Sequence, residues 1–149
     1  AIVRRLVGSE MCIRDRIRLK LQENFTQKQL QDTMDWFNKL NPAVHGFNYD
    51  DMYTWPDIWE YINEGWYTLS GNGLACYFTL DFAYPSKDVE LWLIHDMFYG
   101  DMYLVAYVDG YVLNRSDGKV CKYEEHKKDL HIMEKFDRMK IISTLKDRK

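Results

Sequence analysis

Between residues 89 and 123 the chain is divided at short, regular intervals by turn dipeptides, and this spacing restricts the fold more than any other feature. Gly100-Asp101, Asp109-Gly110 and Asp117-Gly118 separate runs of alternating apolar and polar residues. Two-residue loops of this composition accept the positive φ that tight hairpins need, so they join antiparallel strands. Strands are predicted over 89–99, 102–108, 111–114 and 119–123. Asn72-Gly73 reads the same way, with strands at 66–71 and 74–82 on either side. Six strands joined mainly by hairpins make an antiparallel meander.

Helices are predicted at both ends of it. Thr26 and Gln29 form a capping box, with Phe25 and Leu30 at the staple positions. Leu30, Met34, Phe37 and Leu40 then recur at helical spacing, giving a helix over 27–40 that Asn41-Pro42 stops. Thr54, with Pro56 and Asp57 in the first turn, opens a second helix that Gly65 ends. A third is expected over 124–145, where Leu130, Met133, Phe136, Ile142 and Leu145 lie on one stripe; a short closing strand at 140–142 is the alternative. Helices grouped at the ends of an antiparallel sheet give an α+β fold: two N-terminal helices, a meander of about six strands and a C-terminal helix.

The first sixteen residues follow none of this logic. Residues 6–15, Leu-Val-Gly-Ser-Glu-Met-Cys-Ile-Arg-Asp, resemble a translated transposase sequencing adaptor, and an artefact of that kind is excluded from fold reasoning. The expectation is that 1–16 stand outside the fold and that 17–149 form one α+β domain whose native start is missing. Setting 1–16 aside removes Arg4, Arg5, Arg14 and Arg16 with Glu10 and Asp15. That leaves 16 basic and 21 acidic side chains, and net charge moves from −3 to −5. Phosphate-backbone binding needs a basic footprint, so no nucleic-acid partner is expected. No apolar run reaches the length of a membrane span, and none is expected to enter a membrane. Cys76 and Cys121 fall in predicted strands, where a small buried thiol is the ordinary role, and two cysteines make no disulfide framework. A cytoplasmic setting follows as the default expectation.

Candidate chemistry is sparse. His95 falls on the apolar face of the strand 89–99 and is the pocket candidate; a general base needs an orienting partner, and Asp96, next in the strand, points the other way. His126 and His131 are five apart, off the i, i+4 spacing of a chelating pair, so no metal site is expected. Asp50, Asp51, Asp81, Glu90, Asp96 and Asp101 offer carboxylates, which turns, caps and solvent account for. There is no G-x-S-x-G, no Walker loop and no G-x-G-x-x-G, and no cofactor is expected. The face carrying Trp92, Asp96, Phe98, Tyr103 and Tyr107 is too aromatic for plain solvent and too polar for a dry core. It is either covered by a helix or left open as a surface for a protein partner.

Two families share texture with the chain. The order helix, helix, hairpin and long strand ending in Leu91-Trp-Leu-Ile-His-Asp-Met-Phe98 resembles the first half of a GCN5-related acetyltransferase over residues 17–99. That family follows the strand with a pyrophosphate-binding R/Q-x-x-G-x-G/A loop, where this chain has Tyr99-Gly-Asp-Met102. Trp55-Pro-Asp-Ile-Trp-Glu-Tyr-Ile62 resembles the L-P-x-x-(Y/F) helix of SMI1/KNR4-type immunity domains, over 54–81. The resulting expectation is a non-enzymatic binding or interaction protein, such as a phage or bacterial accessory protein. The alternative is an acyltransferase-like protein lacking the pyrophosphate loop.

Overall fold

Strands buried on both faces along residues 89–113 build the centre of the molecule. The computed structural model describes residues 25–39, 51–56, 60, 69–84 and 87–147. In chain order these form α1 (Gln27–Asn38), a 3₁₀ turn (Met52–Thr54), α2 (Leu69–Ala83), β1 (Val89–Asp96), β2 (Asp101–Val108), β3 (Tyr111–Leu113) and β4 (Cys121–Lys122). The short α3 (Tyr123–His126), β5 (Leu130–Phe136) and α4 (Arg138–Asp147) complete the chain. The fold is α+β as expected, with a five-stranded antiparallel sheet in the order β4-β3-β2-β1-β5.

The Asp109-Gly110 turn behaves as read from sequence: both residues have positive φ, 51° and 89°, and Val108 pairs directly with Tyr111. The β1–β2 connection is longer than predicted. Asp96 pairs with Asp101 across a four-residue loop, so His95 sits opposite Met102. This register differs by an even number of residues from that of a two-residue turn, and side chains therefore keep their faces. Asp117-Gly118 lies inside a longer connection, since Val112 pairs with Cys121.

Thr26 caps α1 through Gln29 N, and Leu30, Met34 and Phe37 are buried along its inner face, as the pattern demands. Gln31 ties α1 to the β3–β4 connection, donating to Gly118 O (2.9 Å) and accepting from Val120 N (2.7 Å). Asp51 accepts from Tyr53 N at the start of the 3₁₀ turn. The second predicted helix lies largely outside the described residues.

The expected hairpin around Asn72-Gly73 is instead the interior of α2. Nine of its fifteen residues are buried, among them Leu74, Ala75, Cys76, Tyr77 and Leu80. A helix wrapped on most sides has no polar stripe, so the period that would have announced it is absent. The expected C-terminal helix is likewise divided. Residues 124–126 belong to the short α3, residues 130–136 form β5, which pairs with β1, and helix returns only at Arg138–Asp147. β5 carries a bulge at Met133, between the Leu93–Glu134 and Ile94–Ile132 pairs.

Two apolar layers result. The helices cover Leu91, Leu93, Leu104, Ala106 and Val108 on one face of the sheet, with Trp55 packed edge-on against Phe136. On the other face Trp92, Ile94, Tyr103, Val105, Val112, Cys121 and Leu130 form a second apolar layer, against which Tyr123 packs. Among the described residues no helix is long and apolar enough to cross a membrane.

Candidate functional site

The first turn of α2 is fastened to the sheet by one side chain. Asn114, just past β3, donates from Nδ2 to Leu69 O (2.6 Å) and to Leu104 O (2.9 Å), bridging the helix start and β2. It is 1% exposed, holds a left-handed φ of 81°, and its Oδ1 is buried without a hydrogen-bond partner. A buried amide oxygen left unpaired costs about 1–3 kcal/mol, which marks the position as one held by something other than local stability. One turn on, Gly73 lies against β2 so closely that a Cβ there would stand 2.2 Å from Leu104 O.

From this fixed point α2 runs toward Tyr84 and the start of β1 at Val89, so its N-terminal turn lies at the opposite end of the strand pair. Leu93 pairs with Leu104, and the next pair on the helix side is His95–Met102. His95 and Met102 pair on the helix-side face at the end where α2 begins, and both are half-buried, as is Ser70 in the first turn of α2. Asn114 flanks β2 from β3 while His95 lies on β1, so β2 stands between them. With neighbouring strands about 4.8 Å apart, Asn114 cannot orient His95; it positions the helix.

Neither described cysteine is built as a nucleophile. Cys76 lies mid-helix, fully buried beside Met34 Sδ (3.3 Å), and burial pushes its thiol far above the usual range. Burial also pushes Cys121 up to about 11, with the Arg115 guanidinium pulling the other way. A thiol reacts as its thiolate, so both are inert at neutral pH.

The opposite face holds a buried polar network. Asp96, fully buried, accepts from Tyr103 Oη (2.6 Å) and Arg115 Nε (3.3 Å) at Oδ2, and from the Phe98 and Tyr99 amides at Oδ1. Burial alone would raise its pKa, but the hydrogen bonds from Tyr103, Tyr99 and Arg115 outweigh it and hold the carboxyl below its ordinary value. Arg115 continues to His126 Nδ1 (2.9 Å) and lies over the Tyr99 ring at 5.4 Å. The Tyr103 hydroxyl also accepts from Ser116 N.

This settles where the sequence-derived residues stand. Trp92, Asp96 and Tyr103 are buried, Asp96 against Arg115, Tyr103 against Ser116 and Trp92 against Tyr123, and Tyr107, half-buried, stacks on Trp92 at 4.2 Å. Phe98 is 68% exposed at the β1–β2 loop. His95 is half-buried on the other face, away from these five. Ser70, Asn114 and Arg115 were not singled out: Ser70 fell in a supposed strand, and a polar residue after a strand looks like any loop residue.

Comparison with solved structures finds the same architecture in Legionella pneumophila LapG. The match has a TM-score of 0.72 at 15% identity, over 99% of this chain and 96% of that one. The calcium-bound form of LapG gives 0.72 at 16% identity, over 99% and 97%, and the EGTA-treated form 0.62 at 15%, over 99% and 96%. No family profile and no curated relative matches the chain. The likeness overturns the functional expectation. The architecture that matches the chain end to end is LapG's, and this corrects the expectation of a non-enzymatic binding protein or an acyltransferase-like one. The acetyltransferase order had relied on a hairpin where α2 stands. Among the described residues no three His, Cys, Asp or Glu side chains converge as a metal site would require.

Proposed function

We propose that this chain is a protease-like protein acting on a polypeptide substrate at the start of α2, with Ser70 as nucleophile and His95 as base. The observation that carries the reading is the fastening of the α2 start to β2 by Asn114, within a fold shared with LapG over the whole chain. A helix start presents its first amides and the positive end of its dipole, which favours an oxyanion and lowers the cost of a nearby nucleophile's developing charge. LapG's fold is used for thiol chemistry; here the described thiols are buried, and the hydroxyl of Ser70 is the nucleophile available at that turn. In this scheme the Ser70 hydroxyl attacks the peptide carbonyl and His95 accepts its proton. His95 then returns the proton to the leaving amine, and water releases the acyl group.

The test is labelling of the full chain with a fluorophosphonate probe, alongside cleavage of a mixed peptide library read by mass spectrometry. Adduct on Ser70, and cleavage lost in S70A and H95N variants that melt like the wild type, support the proposal. Cleavage that survives S70A, or neither adduct nor cleavage in wild type, overturns it.

A further inference from the structure

Where α3 meets the outer face of the sheet, Arg115 and His126 are in direct contact. Arg115 Nη1 and His126 Nδ1 are 2.9 Å apart. A guanidinium has only donors, so Nδ1 must offer its lone pair and the ring carries its single proton on Nε2. His126 ends α3, a single turn with no side-chain cap. That turn brings Tyr123 edge-on to Trp92 at 5.2 Å. We infer that His126 is a proton-operated latch: protonating Nδ1 replaces an acceptor by a donor, sets two cations in contact, and frees α3, with Tyr123, from its packing on Trp92.

The surroundings offer the imidazolium little compensation. From β1, Asp96 is committed to Arg115, Tyr103 and two amides. From the loop after β3, Asp117 accepts from the Tyr99 hydroxyl and Lys119 N. Cys121 on β4 is protonated and Tyr103 on β2 stays neutral. On α3 itself Glu124 pairs with Lys127 and Glu125 is exposed. Beyond it Lys128 adds positive charge, and Asp129 holds the turn through its amide to His126 O (3.0 Å) and its carbonyl to Met97 N (2.7 Å). Like charges in contact are therefore relieved by separation of α3.

The experiment is hydrogen exchange of the full chain at pH 7.5 and 5.5, corrected for intrinsic rates, read on peptides covering 119–130. Wild type should lose protection there by roughly tenfold or more on acidification. H126N, whose Oδ1 stands where Nδ1 does and accepts without titrating, should not respond, while H95N and H131N respond as wild type. An equal response in H126N, or none in wild type, overturns the latch. Nitrogen-15 shifts provide a measurement independent of the variants: a neutral ring protonated on Nδ1 at pH 7.5 would also overturn it.

Discussion

Replacing Gly73 by alanine sets two well-measured effects against each other. In a helix interior the exchange ordinarily stabilises by about 1 kcal/mol, because alanine has less backbone freedom to lose. At this position the new methyl would stand 2.2 Å from Leu104 O, 2.8 Å from Leu104 C and 2.9 Å from Asn114 Nδ2. Two of these are backbone atoms of a central strand and cannot rotate away. Restoring an ordinary contact requires α2 to withdraw by about 1 Å, as overpacked cores do at about 1–3 kcal/mol. The withdrawal also stretches the Asn114–Leu69 hydrogen bond, now 2.6 Å, at about 1 kcal/mol more. The clash wins, and the net expectation is a loss of about 1–3 kcal/mol. Urea unfolding followed by tryptophan fluorescence should show a lower midpoint with an unchanged slope, since the surface exposed on unfolding is the same. A G73A protein as stable as the wild type, or more so, would refute the close approach of α2 to β2 and with it the geometry of the candidate site.

Other outcomes follow from the Asp96 network and the buried thiols. Tyr103→Phe removes a hydroxyl that donates to a buried carboxylate and should cost about 2 kcal/mol in the same assay. Arg115→Met leaves Asp96 without its cation and should cost more, about 3–5 kcal/mol. Because folding lowers the Asp96 pKa, its contribution is complete above the ordinary carboxylate value of about 3.9 and fades as pH falls through the lower folded value. Stability measured from pH 6 to pH 2 should therefore decline less in Asp96→Asn than in wild type. Iodoacetamide at pH 8, mapped by mass spectrometry, should leave Cys76 and Cys121 unmodified in the native protein and alkylate both in urea; rapid native labelling of Cys76 would contradict its burial.

How much of this could be read from the residues depends on whether local and tertiary demands agree. The Thr26 cap, the inner face of α1 and the Asp109-Gly110 turn are local chemistry, and the structure keeps them. The two faces of β1 and β2 survive even though their loop has four residues rather than two, because an even change of register leaves side-chain direction intact. Residues 69–83 could not be read this way. Gly73 is there because β2 touches the helix, not because the chain turns, and the absence of a polar stripe reflects burial on most sides. β5 was hidden for a related reason: Leu130, Met133 and Phe136 have helical spacing, yet Met133 is the bulged residue and lies exposed. The candidate site depends on Asn114 reaching a helix that begins forty-five residues earlier, a relation carried by topology alone.

The bulge at Met133 has a consequence for how the molecule meets other chains. Among the described residues β5 is an outer strand of the sheet, and an unbroken outer strand is a template on which a second polypeptide can add itself. Here one residue too many interrupts the rhythm of the ladder halfway along, and Glu134 and Lys135 follow it, both exposed. An incoming strand would find no continuous register longer than three or four residues before having to step out of phase. The irregularity thus acts as a guard, keeping the growing edge of a sheet this rich in aromatic and β-branched residues from propagating between copies.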